Sequence, residues 1–380
     1  MSSPQSFPLH DPVGSDAEAA VDVDTLAHLL VPLAADADRR GVQRESLDRL
    51  AAAGFLGSPL SPAAQQRELG EVISGIDATT WFCWVQHQSP LRTLELASVG
   101  PLTPEVGALQ DRLLGGLRTG SIVSAVAFAH VRRPGLPNPI ATRVDGGWRV
   151  DGTLDWVTSW DIADVVMVVA QGTAEYADSL VSAFLPAGRS PEKVRGVEID
   201  LPLALLSMSG THTRPIRLDG ALIDDPSVVE VVDRSEWLAR DAVTSANASP
   251  AAFGVARGAI AELDALAELR SDEGMRALAA ALIDECKMVR RAAYAAIDDP
   301  TAPIADRLGL RAASLDLVTR ATTSVVLARA GAAMRSGQDA ERRVREGMFL
   351  QVQAQTAATR AASLAVQLDA SLRATQRIVR

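Results

Sequence analysis

Two changes of period constrain what this chain can fold into. Apolar residues recur at helical spacing up to residue 119, fall into short strand-like runs over 120–233, and return to helical spacing over 234–380. In the first block Leu26, Leu29, Leu30 and Leu33 stand at i, i+3, i+4 and i+7, which puts them on one helix face. A second helix is predicted over Arg44–Ala53 with Gly54 as its stop. Further helix is predicted over 65–98, and a last one over Pro104–Leu117 that Gly120 ends. In the middle block Ile140–Val144 and Trp148–Val150 flank Asp145-Gly146-Gly147, a hairpin signal because glycine supplies the positive φ such turns need. Ile122–Ala129 is rich in small and β-branched residues, and Val165–Ala170 is an unbroken apolar run of the kind found in a buried strand. Val181–Leu185, Val197–Leu201, Thr213–Leu218 and Val228–Val232 follow at strand length, which predicts a sandwich or barrel. After Trp237 come Ala252–Leu269, Met275–Ala296, Ala305–Arg335 and Arg342–Arg380, long and Ala-rich, with Pro300 and Pro303 marking one loop. Helices of that length predict a bundle.

The expected organisation is therefore α+β: a flexible tail over 1–20, an N-terminal helical domain over 21–119, a middle β domain over 120–233 and a C-terminal helical bundle over 234–380. The 380 residues suffice for that many domains. A formal charge of −10 argues against nucleic acid, which needs clustered Lys and Arg. The basic end at Arg373, Arg377 and Arg380 suits a helix C-terminus. Cys83 and Cys286 form no C-x-x-C pair, which points to a reducing, cytoplasmic setting. The first twenty residues lack the apolar run of a secretory signal, and no uncharged stretch nears the ~18 residues that span a bilayer. His28, His130 and His212 lack the spacing of metal ligands, and there is no G-x-S-x-G of a hydrolase.

At four places, in order along residues 146–356, the sequence resembles the acyl-CoA dehydrogenase superfamily. Gly146-Gly147-Trp148-Arg149-Val150-Asp151-Gly152, then Trp156-Val157-Thr158-Ser159 and Ala163-Asp164, is similar to the family's G-G-x-x-[LIV]-x-G…W-x-T/S…A-D. Met208-Ser209-Gly210-Thr211-His212-Thr213-Arg214-Pro215 resembles the segment before its last middle-domain strand, and Gly254-Val255-Ala256-Arg257-Gly258-Ala259 its first C-terminal helix. Glu341-Arg342…Arg345-Glu346…Leu350-Gln351-Val352…Thr356 resembles E-R-x-x-R-D-x-x-x-L-Q-I-x-E-G-T. The resemblance implies a flavin, FAD in most members, between the middle and C-terminal domains. It carries Trp156 and Thr158 over as flavin contacts, with Phe128, His130 and Ser159 beside them; an indole packs along the ring and a hydroxyl bonds its edge. It also implies a homo-oligomer, dimer or tetramer, and a small-molecule substrate of the acyl-CoA class.

The departures from the family pattern shape the functional reading. Phe128-Ala129-His130-Val131-Arg132-Arg133-Pro134-Gly135 stands where the family has T-E-P-x-x-G-S-D. Arg132 and Arg133 are either phosphate ligands or a solvated turn. The R-x-x-F-G that touches a neighbour's FAD is not found after Leu269, which leaves FMN, or reduced flavin from a partner reductase, as the alternative. Aligning Leu350-Gln351-Val352 with L-Q-I puts Ala354 where the family carries its catalytic glutamate. The alternative glutamate position falls near Thr244, and Asp241, one turn earlier, is either a substitute base or a capping or solvated residue. Trp81, Trp84, His87 and Gln88 share one helix face. Either they border a substrate cavity, with His87 a proton or hydrogen-bond donor in an oxygen-using enzyme, or they are aromatic core around a satisfied histidine. Three functions follow: a flavin oxidoreductase of the acyl-CoA dehydrogenase type without the usual glutamate, a two-component monooxygenase using reduced flavin on the same fold, and a non-catalytic subunit that pairs with an active relative.

Overall fold

A computed structural model describes residues 21–57, 63–97, 104–135, 137 and 139–378; the tail expected over 1–20 and Arg380 lie outside the described residues. Six helices come first: α1 Val23–Leu30, α2 Ala34–Arg40, α3 Arg44–Ala52, α4 Ala63–Ile76, α5 Ala78–Ala97 and α6 Pro104–Thr119. Eight strands follow: β1 Ser124–Ala127, β2 Ile140–Val144, β3 Gly147–Val157, β4 Val165–Gly172, β5 Ser179–Pro186, β6 Val197–Ile199, β7 Arg214–Asp224 and β8 Val228–Asp233. The chain then returns to helix: α7 Arg234–Ala246, α8 Pro250–Arg270, α9 Glu273–Asp298, α10 Ile304–Arg329, α11 Asp339–Leu350 and α12 Ala357–Ile378. The α+β order of helices, sheet and long helices is the one the sequence predicts.

The chain divides into two compact units. Among the described residues, one gathers 21–35, 63–78 and 241–378, and the other holds 36–57 and those over 79–240.

In the helical unit α4 lies against α8 at backbone distance. A Cβ added to Gly254 would sit 2.2 Å from the Glu71 carbonyl oxygen, and one on Gly258 2.6 Å from that of Gly75. Only glycine allows this approach. Beside the crossing, Glu68 and Glu71 of α4 meet Arg257 of α8 and Arg290 of α9. Arg290 donates Nη2 to Glu68 at 2.6 Å and Nε to Glu71 at 2.7 Å. Arg257 donates to both carboxylates and the Tyr294 hydroxyl to Glu71. All five side chains are buried. Burial pushes the Glu68 carboxyl up, and burial likewise raises the Tyr294 phenol. Two carboxylates facing two guanidiniums leave the group neutral, the condition under which buried charge is tolerated. The C-terminal carbonyls of α4 are met from α11: Arg343 donates to Gly75 at 3.0 Å and Arg342 to Ile76 at 3.1 Å. Cations at a helix C-terminus satisfy its orphan carbonyls and oppose the dipole.

Three predicted helices are shorter than expected. The run over 65–98 breaks at Asp77 between α4 and α5, and Ala305–Arg335 ends as helix at Arg329, passing into a 3-10 turn over Ala330–Met334. The run over Arg342–Arg380 breaks between α11 and α12, where Ala354 holds φ +50°. No Pro or Gly marks this break; tertiary bonds hold it. Arg311 donates to the Gln353 carbonyl at 2.7 Å and Gln351 to the Leu315 carbonyl at 3.1 Å. Thr356 and Thr359 then cap α12 reciprocally, each backbone N–H donating to the other's hydroxyl.

In the other unit the eight strands form one sheet in the order β6-β7-β3-β2-β4-β5-β8, with β1 also on β4. β4 organises it. Antiparallel β5 takes one edge, while β1 and the start of β2 pair parallel with its two ends in turn. Its even-numbered residues Val166, Val168 and Ala170 face the interior with Trp148, Leu154, Val181 and Ile216. Met167 faces the leucines of α5 and α6, and Val169 packs with Val131 and Leu180. Burial on both faces explains why this strand reads as an unbroken apolar run. The Asp145-Gly146 turn joins β2 to β3, with Gly146 at φ +72°.

Removing one member of the buried ion cluster leaves its partners charged and unpaired. Glu71→Ala is therefore expected to lower unfolding stability by about 3–5 kcal/mol, read from urea denaturation. A loss near that of an ordinary surface substitution would show that the cluster does not hold α4 in place.

Candidate functional site

The β3–β7 ladder carries a register shift between Leu154 and Val157. A bulge adds a residue to one strand and re-aims its side chains. Leu154 and Val157 are both buried while Trp156 between them is 51% exposed, so the indole stands out from the sheet. The chain then turns sharply. Ser159 holds φ +67°, and Met208 and His212 of the facing segment hold φ +58° and +53°. Each costs a non-glycine residue of order 1–3 kcal/mol, and such strain collects at functional sites. The two segments are tied by the Ser159 N–H donating to the Thr211 carbonyl at 2.8 Å.

Between them lies a row of three buried hydroxyls. Thr158 Oγ1 is 3.0 Å from Thr213 Oγ1, which is 2.8 Å from Thr211 Oγ1, which donates to the Met208 carbonyl at 2.7 Å. The Ser159 hydroxyl is fully buried and has no hydrogen-bond partner. Asp164 closes the turn by accepting from the Val123 N–H at 2.8 Å and from Arg44 at 2.7 Å. His212 donates its Nε2–H to the Val42 carbonyl at 2.8 Å, and Arg214 donates to Asp161 at 2.8 Å. Trp156, Thr158 and Ser159 are thus brought together. Thr211 and Thr213 join them; the sequence signal was there, in the Thr-His-Thr of the second motif, without any sign of what the threonines do.

The other expected residues stand in different surroundings. Phe128 is half-buried and meets Trp237 edge-on, with ring centroids 5.8 Å apart. His130 is buried with Nε2 2.7 Å from the Val169 carbonyl, and burial lowers its pKa. That bond ties the ring to β4. Arg132 lies over the Phe128 ring at 5.0 Å, and Arg133 pairs with Asp155. Asp241 and Thr244 lie within α7, so Asp241 is not a cap; the Asp233 carboxylate takes the N–H groups of Ser235 and Glu236 instead.

On the helix face of Trp81, Trp84, His87 and Gln88, three side chains are bonded to backbone. Trp84 donates to the Phe55 carbonyl at 2.7 Å and Gln88 to that of Leu56. His87 is fully buried; Nε2 meets the Leu117 carbonyl at 3.0 Å, and Nδ1 accepts from the Ser124 N–H at 3.1 Å. With Nδ1 an acceptor, Nε2 carries the only ring proton. Both nitrogens are spent on backbone, so His87 has no atom to offer a substrate: it clasps α5 to the end of α6 and the start of β1. A cleft of about 830 Å³ lies in this unit between α6, the Asp145-Gly146 turn and the 186–194 loop, and none of the expected site residues lines it.

Burial holds the His87 pKa down to about 4 from 6.5. The folded state therefore binds fewer protons than the unfolded one between those values. The clasp's contribution is complete above pH 6.5 and is lost as pH falls toward 4, by about 3 kcal/mol at most. His130 adds in the same direction. Urea unfolding from pH 7.5 to 4.5 is expected to show a shallower loss in His87→Gln than in wild type. Parallel curves would refute the assignment.

No protein-family model and no curated protein matches the sequence. Solved structures do. Butyryl-CoA dehydrogenase of Megasphaera elsdenii superposes with a TM-score of 0.70 at 15% identity, over 92% of this chain and 99% of its own. Dibenzothiophene monooxygenase (TdsC) of Paenibacillus sp. A11-2, in complex with FMN and indole, superposes with a TM-score of 0.72 at 16% identity, over 90% and 95%. KijD3, in complex with FMN and a dTDP-amino-keto sugar, gives 0.72 at 18%, over 94% and 96%. At these identities the likeness speaks for fold, and together with the order of elements it establishes that this chain has the acyl-CoA dehydrogenase fold, shared by dehydrogenases and flavin monooxygenases.

Proposed function

We propose that the chain is a flavin-dependent oxidoreductase that works without the family's usual glutamate. The observation that carries this reading is the exposed Trp156 indole on the bulge beside the strained Ser159 and the buried Thr158 hydroxyl. An isoalloxazine needs an aromatic or apolar surface along its ring and polar atoms at its edge. Trp156 fits the first need. Thr158 and the unpartnered Ser159 hydroxyl fit the second. FAD is the cofactor the resemblance implies, and FMN, delivered reduced by a partner reductase, is the alternative; the FMN complexes among the solved relatives support keeping it. A bound flavin supplies a two-electron acceptor for a substrate or, once reduced, electrons for oxygen.

Desaturation of an acyl thioester also needs a carboxylate to take the proton beside the carbonyl. In the motif frame that position is Ala354, at the junction of α11 and α12, and the alternative position is Thr244. Asp241 on α7 is the remaining candidate. The reading is accordingly of a flavoprotein that does not desaturate simple acyl-CoA thioesters by itself, and the monooxygenase chemistry, which needs no such base, is the second reading.

One experiment tests both parts. FAD and FMN are titrated against wild type and Trp156→Ala, and the loaded protein is mixed anaerobically with butyryl-, octanoyl- and palmitoyl-CoA. Flavin is expected to bind wild type well below millimolar, where the binding free energy would be only about 4 kcal/mol. It is expected to bind Trp156→Ala at least about tenfold more weakly, and not to bleach with any of the thioesters. Failure of every flavin to bind removes the reading; rapid bleaching shows that a base acts from another position, with Asp241 the first to replace.

We also propose assembly with a second copy of the chain. Leu364, Leu368 and Leu372 stand at i, i+4 and i+8 on α12 and are 57%, 60% and 54% exposed, an apolar stripe that association would cover. Light scattering is expected to give a multiple of 40.1 kDa for wild type and a smaller species for Leu368→Asp. A 40.1 kDa particle for wild type at micromolar concentration would rule it out.

A further inference from the structure

The stripe on α12 begins one turn before its leucines. Arg360, Leu364, Leu368 and Leu372 are spaced four apart and all exposed, so one face presents a guanidinium followed by three apolar side chains. Arg360 makes no ion pair among the described residues. From Arg360 to Leu372 the helix rises about 18 Å. A second stripe of the same kind covers it poorly. Asp369 is the one acid of α12, and it points about 100° away from Leu368 around the helix. Two facing stripes would therefore bring no carboxylate to Arg360.

The cleft of about 830 Å³ in the sheet unit has the complementary character. Its lining carries Asp145, Glu192 and Asp224 against one cation, Arg112, and none of the four makes an ion pair among the described residues. A further acid, Asp164, is already bonded to Arg44. The apolar lining includes Leu109, Val194 and Leu222, and Leu222 is 63% exposed. A helix about 10–12 Å across and 18 Å long, sunk to half its depth, displaces about 700–1000 Å³, which is the size of this cleft. We infer that the cleft receives α12 of a second copy, with the leucines on its apolar lining and Arg360 at its acids. The inference rests on the self-association proposed above and names the surface that takes part in it. Two copies that each give a helix and receive one close a twofold dimer with two such contacts.

The test uses the full chain. Cys83 and Cys286 are buried, so introduced thiols at the surface report by themselves. Leu222→Cys is mixed with Leu364→Cys, Leu368→Cys or Leu372→Cys in turn, left to exchange subunits and oxidised. A disulfide needs Cα atoms within about 7 Å, and successive stripe positions stand about 6 Å apart. At least one mixture is expected to give a covalent dimer, and no variant to give one alone. The second readout is the dissociation constant by analytical ultracentrifugation. Arg360→Gln, and the combined Asp145→Asn, Glu192→Gln and Asp224→Asn, are each expected to weaken the dimer about two- to fivefold. Joined in one chain they are expected to weaken it no further than the larger effect alone, because both remove the same pairing. A wild type that does not self-associate removes the assembly proposal and this inference with it. If wild type associates but a stripe variant links to itself, or no mixture links, or the two charge effects add in full, α12 is covered elsewhere and only this inference falls.

Discussion

The crossing of α4 on α8 is the constraint on which the helical unit depends. Two helices approach this closely only where one presents bare backbone, and Gly254 and Gly258 provide it. The approach brings the Glu68 and Glu71 carboxylates within reach of Arg257 and, from α9, Arg290. Close packing and ion cluster need one another. Without the glycines the charges would stand too far apart to offset their desolvation; without Arg257 and Arg290, α4 would place two carboxylates against an apolar bundle. Arg342 and Arg343 then close the end of α4, so a helix distant in sequence is fixed along its length by α8, α9 and α11.

In the sheet unit the corresponding constraint is the two-sided burial of β4. A strand covered on both faces cannot shift register without exposing apolar residues, so β1, β2 and β5 are fixed on it. The β3–β7 ladder bulges between Leu154 and Val157, and there Trp156 is turned outward. Strain follows the same division. Ser159, Met208 and His212 hold left-handed backbone at the end of this ladder, kept there by Asp164 with Arg44 and by Asp161 with Arg214. A turn that costs several kcal/mol in all and is braced from several directions is a feature the fold maintains.

The order of elements and most strand positions were legible because period is a local property: the unbroken run of β4 and the Asp145-Gly146 turn are written in neighbouring residues. What the sequence hid is set by tertiary contact. The break at Ala354 has no glycine or proline and is held by Arg311, some forty positions upstream. The face of Trp81, Trp84, His87 and Gln88 has the spacing of a site, yet spacing cannot tell a ring that faces a ligand from one that meets the carbonyls of Phe55, Leu56 and Leu117. Glu68 and Glu71 carry no local sign of burial, since their partners lie nearly two hundred residues away or more. In the W-x-T segment the reverse holds. Trp156 and Thr158 were legible as a pair, while the strain around them and the hydroxyl row behind them depend on a second segment fifty residues on.

The position of Ala354 bears on the chemistry proposed for this chain. Desaturation of an acyl thioester needs a carboxylate to receive a proton, and the motif frame puts alanine, which cannot take one, where that carboxylate is expected. The backbone at this position is not left to chance: Ala354 holds φ +50°, and Arg311 and Gln351 hold the break around it by bonds to Gln353 and Leu315. Left-handed backbone costs a non-glycine residue of order 1–3 kcal/mol, so the break is a feature that the helical unit maintains. Chemistry in which reduced flavin passes its electrons to oxygen needs no such base, which is why the monooxygenase reading is kept beside the first.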